Sequence, residues 1–377
     1  MTYDTAIVGG GLFGCHAALF LAEQGERVLL IDAAPELVTR ASIVNQARLH
    51  AGYHYPRSIA TARASDENIA RFRKEFADCI NDSFTHYYAI AAHGSLTTPQ
   101  QFERFCSQLD LPCDRVDNHP AFNYEQLAAV YQTIEYSFDP LLLAEKYRER
   151  ITRGSTIDLR LNTRLDLEEK VETLAAGSQS AQFQFRLSSG DLVKTRRLIN
   201  ATYAAVNTIN RHFGRQELSL MHEIAEMAFV RAPSFAQEAL TVMDGPFCSL
   251  MPWGKTGLLS LSSVAYTHQR VSYDAQPRFS CQNLRSDCNP SATADCQDCP
   301  QAPTSNYKKM LAQLQRYLNP GIDLEYIHSR FTIKSKLQAN YIDDGRPTAV
   351  RQLSQNPDFF CVFAGKVNNV YNLERLL

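Results

Sequence analysis

The sequence predicts a two-domain α/β protein, with one domain built on parallel β-α-β units and the other on an antiparallel sheet with helices. Three observations support this fold class. A strand, a glycine-rich turn, a helix and a second strand follow one another within the first 32 residues. Residues 222–266 alternate short strand patterns with turn signals, as antiparallel sheets do. The chain has 377 residues, which is more than one hydrophobic core usually holds.

The composition is globular and excludes two classes of partner. The 38 Lys and Arg residues nearly balance the 40 Asp and Glu residues, and no basic run stands out, so we expect no nucleic acid partner. No run of 18 apolar residues occurs, so we expect no membrane span. Residues 5–22 are apolar, but three glycines interrupt them and no basic segment precedes them. We therefore expect a cytoplasmic protein with reduced thiols.

The N-terminal segment predicts a dinucleotide site. A strand over residues 4–8 leads into the turn Gly9-Gly10-Gly11-Leu12-Phe13-Gly14. Gly9 permits the tight turn, Gly11 lets the backbone approach a pyrophosphate, and Gly14 allows the helix and strand to pack closely. The helix over 12–24 begins at Leu12 and Phe13, where free N–H groups and the positive dipole end face the phosphates. A strand, the glycines, a helix and a second strand occur here in the order that a dinucleotide site requires. This order distinguishes a binding site from a glycine turn without a ligand.

Asp32 and the loop after it indicate which dinucleotide is bound. Asp32 follows the strand over 27–31 and can accept hydrogen bonds from ribose hydroxyls. The glycine pattern fits FAD and NAD equally. It occurs once, however, and a polar loop over 39–57 follows where another short β-α-β repeat would stand. Such a loop could continue along an extended dinucleotide towards its reactive ring, which favours FAD.

The rest of the chain alternates helical and strand patterns. Thr98-Pro99 and Asp139-Pro140 each place a proline at the first helical position and so predict two helix starts. Turn signals at Ser189-Gly190 and Asp244-Gly245 separate strands. The predicted helices cover about 58–79, 99 onward, 140–152 and 306–318, and the predicted strands cover 87–91, 157–161, 183–187, 197–200 and 359–363.

Five segments carry a family resemblance. They are the N-terminal β-α-β unit, the loop 42–58, Phe138-Asp-Pro140 with its helix and the strand to Leu165, residues 197–202, and Phe363-Ala-Gly-Lys-Val367. In these segments the sequence resembles FAD-dependent oxidoreductases of the D-amino-acid oxidase and glycine oxidase type. The resemblance implies a discontinuous, Rossmann-like FAD-binding domain over 1–85, 138–212 and 335–377. It also implies an α+β substrate domain over 86–137 and 213–334, with a Cys-rich insert at about 280–304.

The resemblance implies a set of cofactor contacts. The ADP half would lie at Gly9, Gly11, Gly14 and Asp32. The pyrophosphate or flavin would lie by Ser42, Asn45 and Gln46, with Leu165 beside the adenine and Ala201-Thr202 close to the dinucleotide. Gly365, Lys366 and Val367 would face the flavin pyrimidine with backbone N–H groups, and the family has arginines near Arg346 that reach substrate.

The sequence departs from the family pattern at two places. Tyr203 stands where the family has a glycine after Asn-Ala-Thr, so we expect the chain there to follow a different course. Asn368-Asn369 replaces the second glycine of the C-terminal turn.

The loop around His50 concentrates the candidate catalytic side chains. His50 could bind substrate or accept a proton, or it could bond to backbone beneath the flavin. His54 and Tyr55 could act on substrate, or they could form a turn that packs the next helix. Arg48 could bind a phosphate or a substrate acid, or it could form an interdomain ion pair.

The Cys-rich insert admits two interpretations. Cys281, Cys288, Cys296 and Cys299 could bind zinc, and Cys296-x-x-Cys299 has the spacing of a zinc knuckle. Six residues separate Cys281 from Cys288, instead of the usual two to four, so we expect thiols or disulfides and no metal.

These observations predict an FAD-dependent oxidase or dehydrogenase for a small polar substrate. An amine or amino acid is expected, oxidised by hydride transfer to flavin N5, with a hydroxy acid or sugar as the alternative. No second nucleotide motif is present for NAD(P)H, so electrons would leave to oxygen or another acceptor. A flavin-binding interaction or sensor protein and a flavin monooxygenase stay open, and a homo-oligomer is compatible with the sequence.

Overall fold

The computed structural model describes residues 1–153, 156–175, 181–297, 299–338, 348–363 and 365–377. The strands, in chain order, are β1 (Thr2–Val8), β2 (Val28–Ile31), β3 (Arg48–Leu49), β4 (Ile80–Asn81), β5 (Thr85–Ala91), β6 (Cys113–Arg115), β7 (Leu127–Thr133), β8 (Tyr136–Phe138), β9 (Ile157–Arg160), β10 (Glu172–Leu174), β11 (Gln182–Arg186), β12 (Leu192–Asn200), β13 (Leu220–Arg231), β14 (Glu238–Val242), β15 (Cys248–Pro252), β16 (Leu259–Ser263), β17 (His268–Ser272), β18 (Glu325–Leu337), β19 (Ala349–Ser354) and β20 (Asp358–Phe363).

The helices in the same chain order are α1 (Leu12–Glu23), α2 (Ile59–Asp66), α3 (Ile69–Glu75), α4 (Pro99–Gln108), α5 (Pro140–Arg153), α6 (Val206–His212) and α7 (Tyr307–Gln315). Within the part of the chain that the structure describes, none of them combines the length and the apolar character needed to cross a membrane.

The first sheet contains the predicted N-terminal β-α-β unit. Its order is β10-β11-β12-β1-β2-β9, and β20 pairs with β12 and β19. The central pairs β12-β1, β1-β2 and β2-β9 are parallel. Every residue of β2 is buried, as expected for a parallel strand covered on both faces. The carboxyl ends of β1, β2 and β12 therefore lie side by side, which is where α/β folds place their ligands.

The second sheet has nine strands and is mostly antiparallel. Its order is β17-β13-β16-β15-β14-β5-β7-β6, and β18 pairs along almost the whole of β13. The antiparallel strands predicted within residues 222–266 are confirmed by the pairs β14-β15 and β15-β16. The long strand β18 was not predicted, because its residues mix polar and apolar types and are mostly half-buried.

The single helix predicted over 58–79 is wrong. The chain forms α2 and α3 instead, because Asn68 between them adopts a left-handed conformation with φ 70°. Asparagine tolerates this conformation better than most residues. The Asn368 side chain donates to the carbonyl oxygens of Ser65 and Glu67 at the break, both at 2.8 Å. The C-terminal segment thus satisfies the orphan carbonyl groups at the end of α2.

Asp139 joins the two sheets. One carboxylate oxygen accepts hydrogen bonds from the N–H groups of Leu141 and Leu142 and caps α5, while the other accepts from Lys255 N at 2.9 Å. Gly254 beside it has φ 62°, and a Cβ there would lie 2.3 Å from the Asp139 Cα. The small sheet β3-β8-β4 adjoins this junction, so it fixes the candidate catalytic loop at its Arg48 end.

Candidate active site

A cavity of about 440 Å³ lies between the ends of β1, β2 and β12 and the strand β18. Of the fifteen predicted cofactor contacts, all but Gly14 line it, namely Gly9, Gly11, Leu12, Phe13, Asp32, Ser42, Asn45, Gln46, Leu165, Ala201, Thr202, Gly365, Lys366 and Val367. Segments that are far apart in the sequence therefore line the same cavity. Their contact with a cofactor stays a prediction.

The glycine turn is held by backbone contacts that no side chain would allow. A Cβ on Gly14 would lie 1.8 Å from the Gly9 carbonyl oxygen, so Gly14 serves the packing of α1 on β1 and does not face the cavity. Gly11 does face it, and a Cβ there would meet only Ser42 Oγ, at 3.3 Å, among the described atoms within 4 Å. Gly11 thus leaves open a space beside Ser42 that a side chain at this position would fill.

Asp32 is fixed to the turn that it follows. Its carboxylate accepts hydrogen bonds from Gly10 N at 2.5 Å and from Ala34 N at 2.7 Å, one on each oxygen. Because a carboxylate has about four acceptor positions, each oxygen can still accept a hydroxyl from the cavity side. The structure therefore leaves Asp32 able to bind a ribose.

Two arginines that the sequence analysis missed also line the cavity. Arg40 has a buried Nε for which the described residues offer no hydrogen-bond partner. Burial, and then the charge of Arg40, lower the pKa of Arg164, while Asp32 opposes them. Two like charges thus lie at the wall of the same cavity, where a bound anion would reduce their repulsion. No sequence motif marks this pair, because Arg40 and Arg164 are 124 residues apart.

Lys366 lines the cavity with its stem and turns its ammonium group towards α2. The Lys366 Nζ donates to Ser65 Oγ and to the Thr61 carbonyl oxygen, and it lies 4.3 Å from the centroid of the Tyr55 ring. The side chain is 8% exposed. Lys366 therefore connects the C-terminal turn to the loop 39–57 and to α2.

Of the four predicted catalytic residues, Arg48 and His50 line the cavity, whereas His54 and Tyr55 are not among its described lining residues. The His54 ring lies 5.6 Å from the His50 ring and 5.5 Å from the Tyr55 ring, measured between centroids. These two rings therefore pack behind His50. The His50 side chain is 22% exposed.

Arg48 forms a buried ion pair with Glu135. The Arg48 Nη1 lies 3.1 Å from Glu135 Oε2, and the two side chains are 1% and 0% exposed. The same guanidinium donates to Tyr88 Oη at 2.7 Å, to Thr241 Oγ1 at 2.6 Å and to Ser249 Oγ at 2.7 Å. The structure thus corresponds to the ion-pair alternative for Arg48, and these contacts join the loop 39–57 to the second sheet.

Glu135 is a further residue, beside Arg40 and Arg164, that the sequence analysis missed. Its Oε1 accepts from Ala51 N at 3.3 Å and lies 3.9 Å from His50 Nδ1, while Oε2 accepts from the Tyr88 hydroxyl at 3.0 Å. Burial raises the pKa of the Glu135 carboxyl, and Arg48, Tyr88 and the Ala51 N–H oppose this by favouring the carboxylate. No local pattern identifies it, because it occupies a short turn between β7 and β8.

Tyr203 keeps the backbone conformation that glycine favours. Its φ is 54°, in the left-handed region that favours glycine, and the expectation of a different course for the chain there stays a prediction. Its hydroxyl donates to the Ser335 carbonyl oxygen and accepts from Ser335 N, both at 3.0 Å, and its ring stacks on Phe363. The left-handed conformation costs a non-glycine residue about 1–2 kcal/mol. The contacts with β18 and Phe363 offset this cost.

The Cys-rich insert contributes to the cavity wall through residues 291–296. Burial, Asp295 and then the neighbouring thiols of the insert raise the pKa of Cys296 to about 12. Among the described residues, no group of three or more His, Cys, Asp or Glu side chains is arranged to hold a metal ion. Arg346 lies outside the described residues.

The chain is similar to known proteins in sequence and in fold. A family model described as "FAD dependent oxidoreductase" matches residues 4–363. The "FAD-dependent monooxygenase FPY4" of Fusarium mangiferae is 24% identical over 375 residues, which cover 98% of this chain and 88% of the relative. The crystal structure of glycine oxidase from Geobacillus kaustophilus has a TM-score of 0.69 at 15% identity and covers 98% of this chain and 90% of its own.

A further solved structure is similar along the whole chain. L-α-glycerophosphate oxidase from Mycoplasma pneumoniae, solved with FAD bound, has a TM-score of 0.70 at 13% identity. The match covers 100% of this chain and 93% of the other. At this identity the two structural likenesses show the fold.

Proposed function

The chain belongs to the FAD-dependent oxidoreductase family, and from this premise we propose that it oxidises a small polar donor at a C–H bond next to an amine or a hydroxyl group. When bound, FAD supplies the hydride acceptor at flavin N5. An amine or amino acid is the first donor class to test. We further propose that the electrons pass to oxygen or another acceptor.

The cavity residues fit the dinucleotide. Gly11 leaves open the space that a pyrophosphate needs, and Asp32 keeps acceptor capacity for a ribose. Arg40 and Arg164 offer the positive charge that the phosphates would neutralise. These four residues would hold the ADP half of FAD.

The observation that carries the proposal is the position of His50. It is the histidine of the loop 39–57 that lines the cavity, and its side chain is partly exposed there. A neutral imidazole at such a position can take the proton that a donor's nitrogen or oxygen loses as its C–H bond breaks. We propose His50 as that acceptor.

A hydroxy acid or sugar is a second candidate donor, and the carboxylate behind His50 favours it. An amine can react in its neutral form, whereas a hydroxyl group must lose its proton during the reaction and needs a base. Glu135 lies 3.9 Å from His50 Nδ1, so its negative charge would strengthen His50 as a base. The family relative named a monooxygenase supports a third possibility, which would require consumption of NAD(P)H.

The test is anaerobic reduction of the FAD-loaded protein by a panel of amines, amino acids, hydroxy acids and aminosugars. Bleaching of the flavin by one donor class supports the proposal and identifies the class. Bleaching by dithionite alone would contradict it and favour a binding or sensor protein. Donor-dependent NAD(P)H consumption would indicate a monooxygenase. The domain boundaries, the cytoplasmic location and a homo-oligomer stay predictions.

A further inference from the structure

We propose that Glu135 is a positioning residue for His50, holding the imidazole with Nδ1 towards the protein and Nε2 towards the cavity. This inference rests on the proposed function, in which His50 accepts the donor's proton. The Glu135 side chain is fully buried, and its Oε1 lies 3.9 Å from His50 Nδ1. At this distance the two groups interact through charge, and the contact is longer than a hydrogen bond.

The carboxylate is itself rigidly held. Its Oε2 is fixed by Arg48 Nη1 at 3.1 Å and by the Tyr88 hydroxyl at 3.0 Å. Its Oε1 accepts from Ala51 N at 3.3 Å, and Ala51 is the residue next to His50 in the chain. Glu135 Oε1 thus holds the loop backbone at Ala51 and also lies near the His50 ring. A side chain locked in this way can orient its neighbour.

Glu135 also balances the charge around His50. Among the described residues, the titratable and charged groups that surround this region are Arg48 on β3, Tyr53, His54 and Tyr55 on the loop, His86 and Tyr88 on β5, and Lys366, whose Nζ lies 4.3 Å from the centroid of the Tyr55 ring. Burial, and then the charges of Arg48 and His54, lower the pKa of His86 well below its usual value, so His86 is neutral. Of the groups named here, Glu135 supplies the negative charge, and it offsets Arg48.

The consequence concerns the proton that His50 takes up. With Glu135 ionised, the resulting imidazolium faces a carboxylate. With a neutral side chain at position 135, it faces the uncompensated guanidinium of Arg48. His50 would then hold its proton less tightly and be a weaker base, and its ring would lose the group that orients it.

The experiment compares Glu135→Gln with the wild-type holoenzyme and with Glu226→Gln. Glu226 is a matched control, because it is fully buried and hydrogen-bonded to Asn306 N and Ser329 Oγ but does not line the cavity. Two readouts are taken. One is the pH dependence of single-turnover flavin reduction. The other is the pH at which the His50 imidazole titrates, followed by NMR with labelled histidine and assigned with His50→Asn.

For Glu135→Gln we expect reduction about tenfold slower at the plateau, with the acidic limb of the profile about one pH unit lower. The His50 titration should move in the same direction, while Glu226→Gln leaves both unchanged. If Glu135→Gln behaves like the wild type in both readouts, the positioning role is wrong. A moved titration without reduction by any donor would refute the proposed function and leave the pairing of Glu135 with His50 intact.

Two further variants keep the inference testable if Glu135→Gln does not fold. Glu135→Asp retains the negative charge, so the acidic limb should stay within about half a pH unit of wild type even if the rate falls. Tyr88→Phe removes one donor to the carboxylate but leaves its charge, and it should also keep the limb in place. A shift of about one unit in either variant would contradict a role based on the charge of Glu135.

Discussion

Gly9 and Ala201 approach so closely that a Cβ on Gly9 would lie 2.6 Å from the Ala201 carbonyl oxygen. The two residues follow β1 and β12, which are parallel neighbours, so this contact sets the spacing at the carboxyl edge of the first sheet. The cavity opens at this edge. The geometry of the cavity at this edge therefore depends on a glycine at position 9.

Replacement of Gly9 by alanine should weaken both folding and FAD binding. Gly190 is a matched control, because its φ of 88° resembles the 105° of Gly9 but its Cβ position meets no described atom within 4 Å. We expect Gly190→Ala to cost about 1 kcal/mol through backbone strain alone. Gly9→Ala should cost more and raise the FAD Kd at least tenfold, as measured by urea unfolding and fluorescence titration. Equal effects of the two variants would contradict the close approach.

The charges of Arg40 and Arg164 should contribute to FAD affinity. Replacing either by glutamine should raise the FAD Kd about three- to tenfold at low salt, and the difference should shrink in 0.5 M NaCl because salt screens charge. Arg153→Gln is the control, since Arg153 is 79% exposed and does not line the cavity. Fluorescence titration of the apoprotein measures all three. A Kd unchanged in both variants would show that these arginines do not face the phosphates.

Tyr203 offers a test of the backbone conformation at the missing glycine. Tyr203→Phe loses both hydrogen bonds with Ser335. Its free energy of unfolding should be about 1–2 kcal/mol lower than that of wild type. Both Tyr203→Gly and Tyr203→Ala lose the whole side chain, but only glycine tolerates a φ of 54° without strain. The glycine variant should therefore be more stable than the alanine variant by about 1 kcal/mol in urea unfolding. The reverse order would contradict the positive φ.

Glu223 should make folding stability depend on pH in the acid range. Burial raises its pKa, but His268 and Lys336, each 2.9 Å from its carboxylate, outweigh this and lower the pKa from 4.5 to about 2. A lowered pKa in the folded state stabilises the protein above pH 4.5, and that stabilisation is lost as the pH falls towards 2. The shift corresponds to about 3 kcal/mol at neutral pH.

The measurement compares Glu223→Gln with wild type in urea at pH 6 and pH 3.5. The difference in unfolding free energy should shrink by about 1 kcal/mol at the lower pH, because part of the wild-type stabilisation has been lost there. Glu125→Gln, at an exposed position, is the control. A difference that is constant between the two pH values would show that Glu223 does not have the lowered pKa.

The sequence predicted the parts of the site that local chemistry determines. The glycine turn and Asp32 stand within one β-α-β unit, so their spacing alone indicates their use. Glu135 could not be predicted in this way, because the role proposed for it depends on Arg48 and His50, which are more than 80 residues away and on other elements. The break between α2 and α3 could not be predicted for the same reason, because Asn368 from the distant C-terminal segment donates a hydrogen bond to it.

Single-turnover reduction of FAD in His50→Asn, with the donor that the panel identifies, tests whether His50 accepts the donor's proton. The exposed His93 provides the control variant His93→Asn. We predict that His50→Asn binds FAD with unchanged affinity and is reduced at least about 100-fold more slowly than wild type, while His93→Asn matches wild type. Reduction of His50→Asn at the wild-type rate would contradict the account, because no proton acceptor would then be needed at that position.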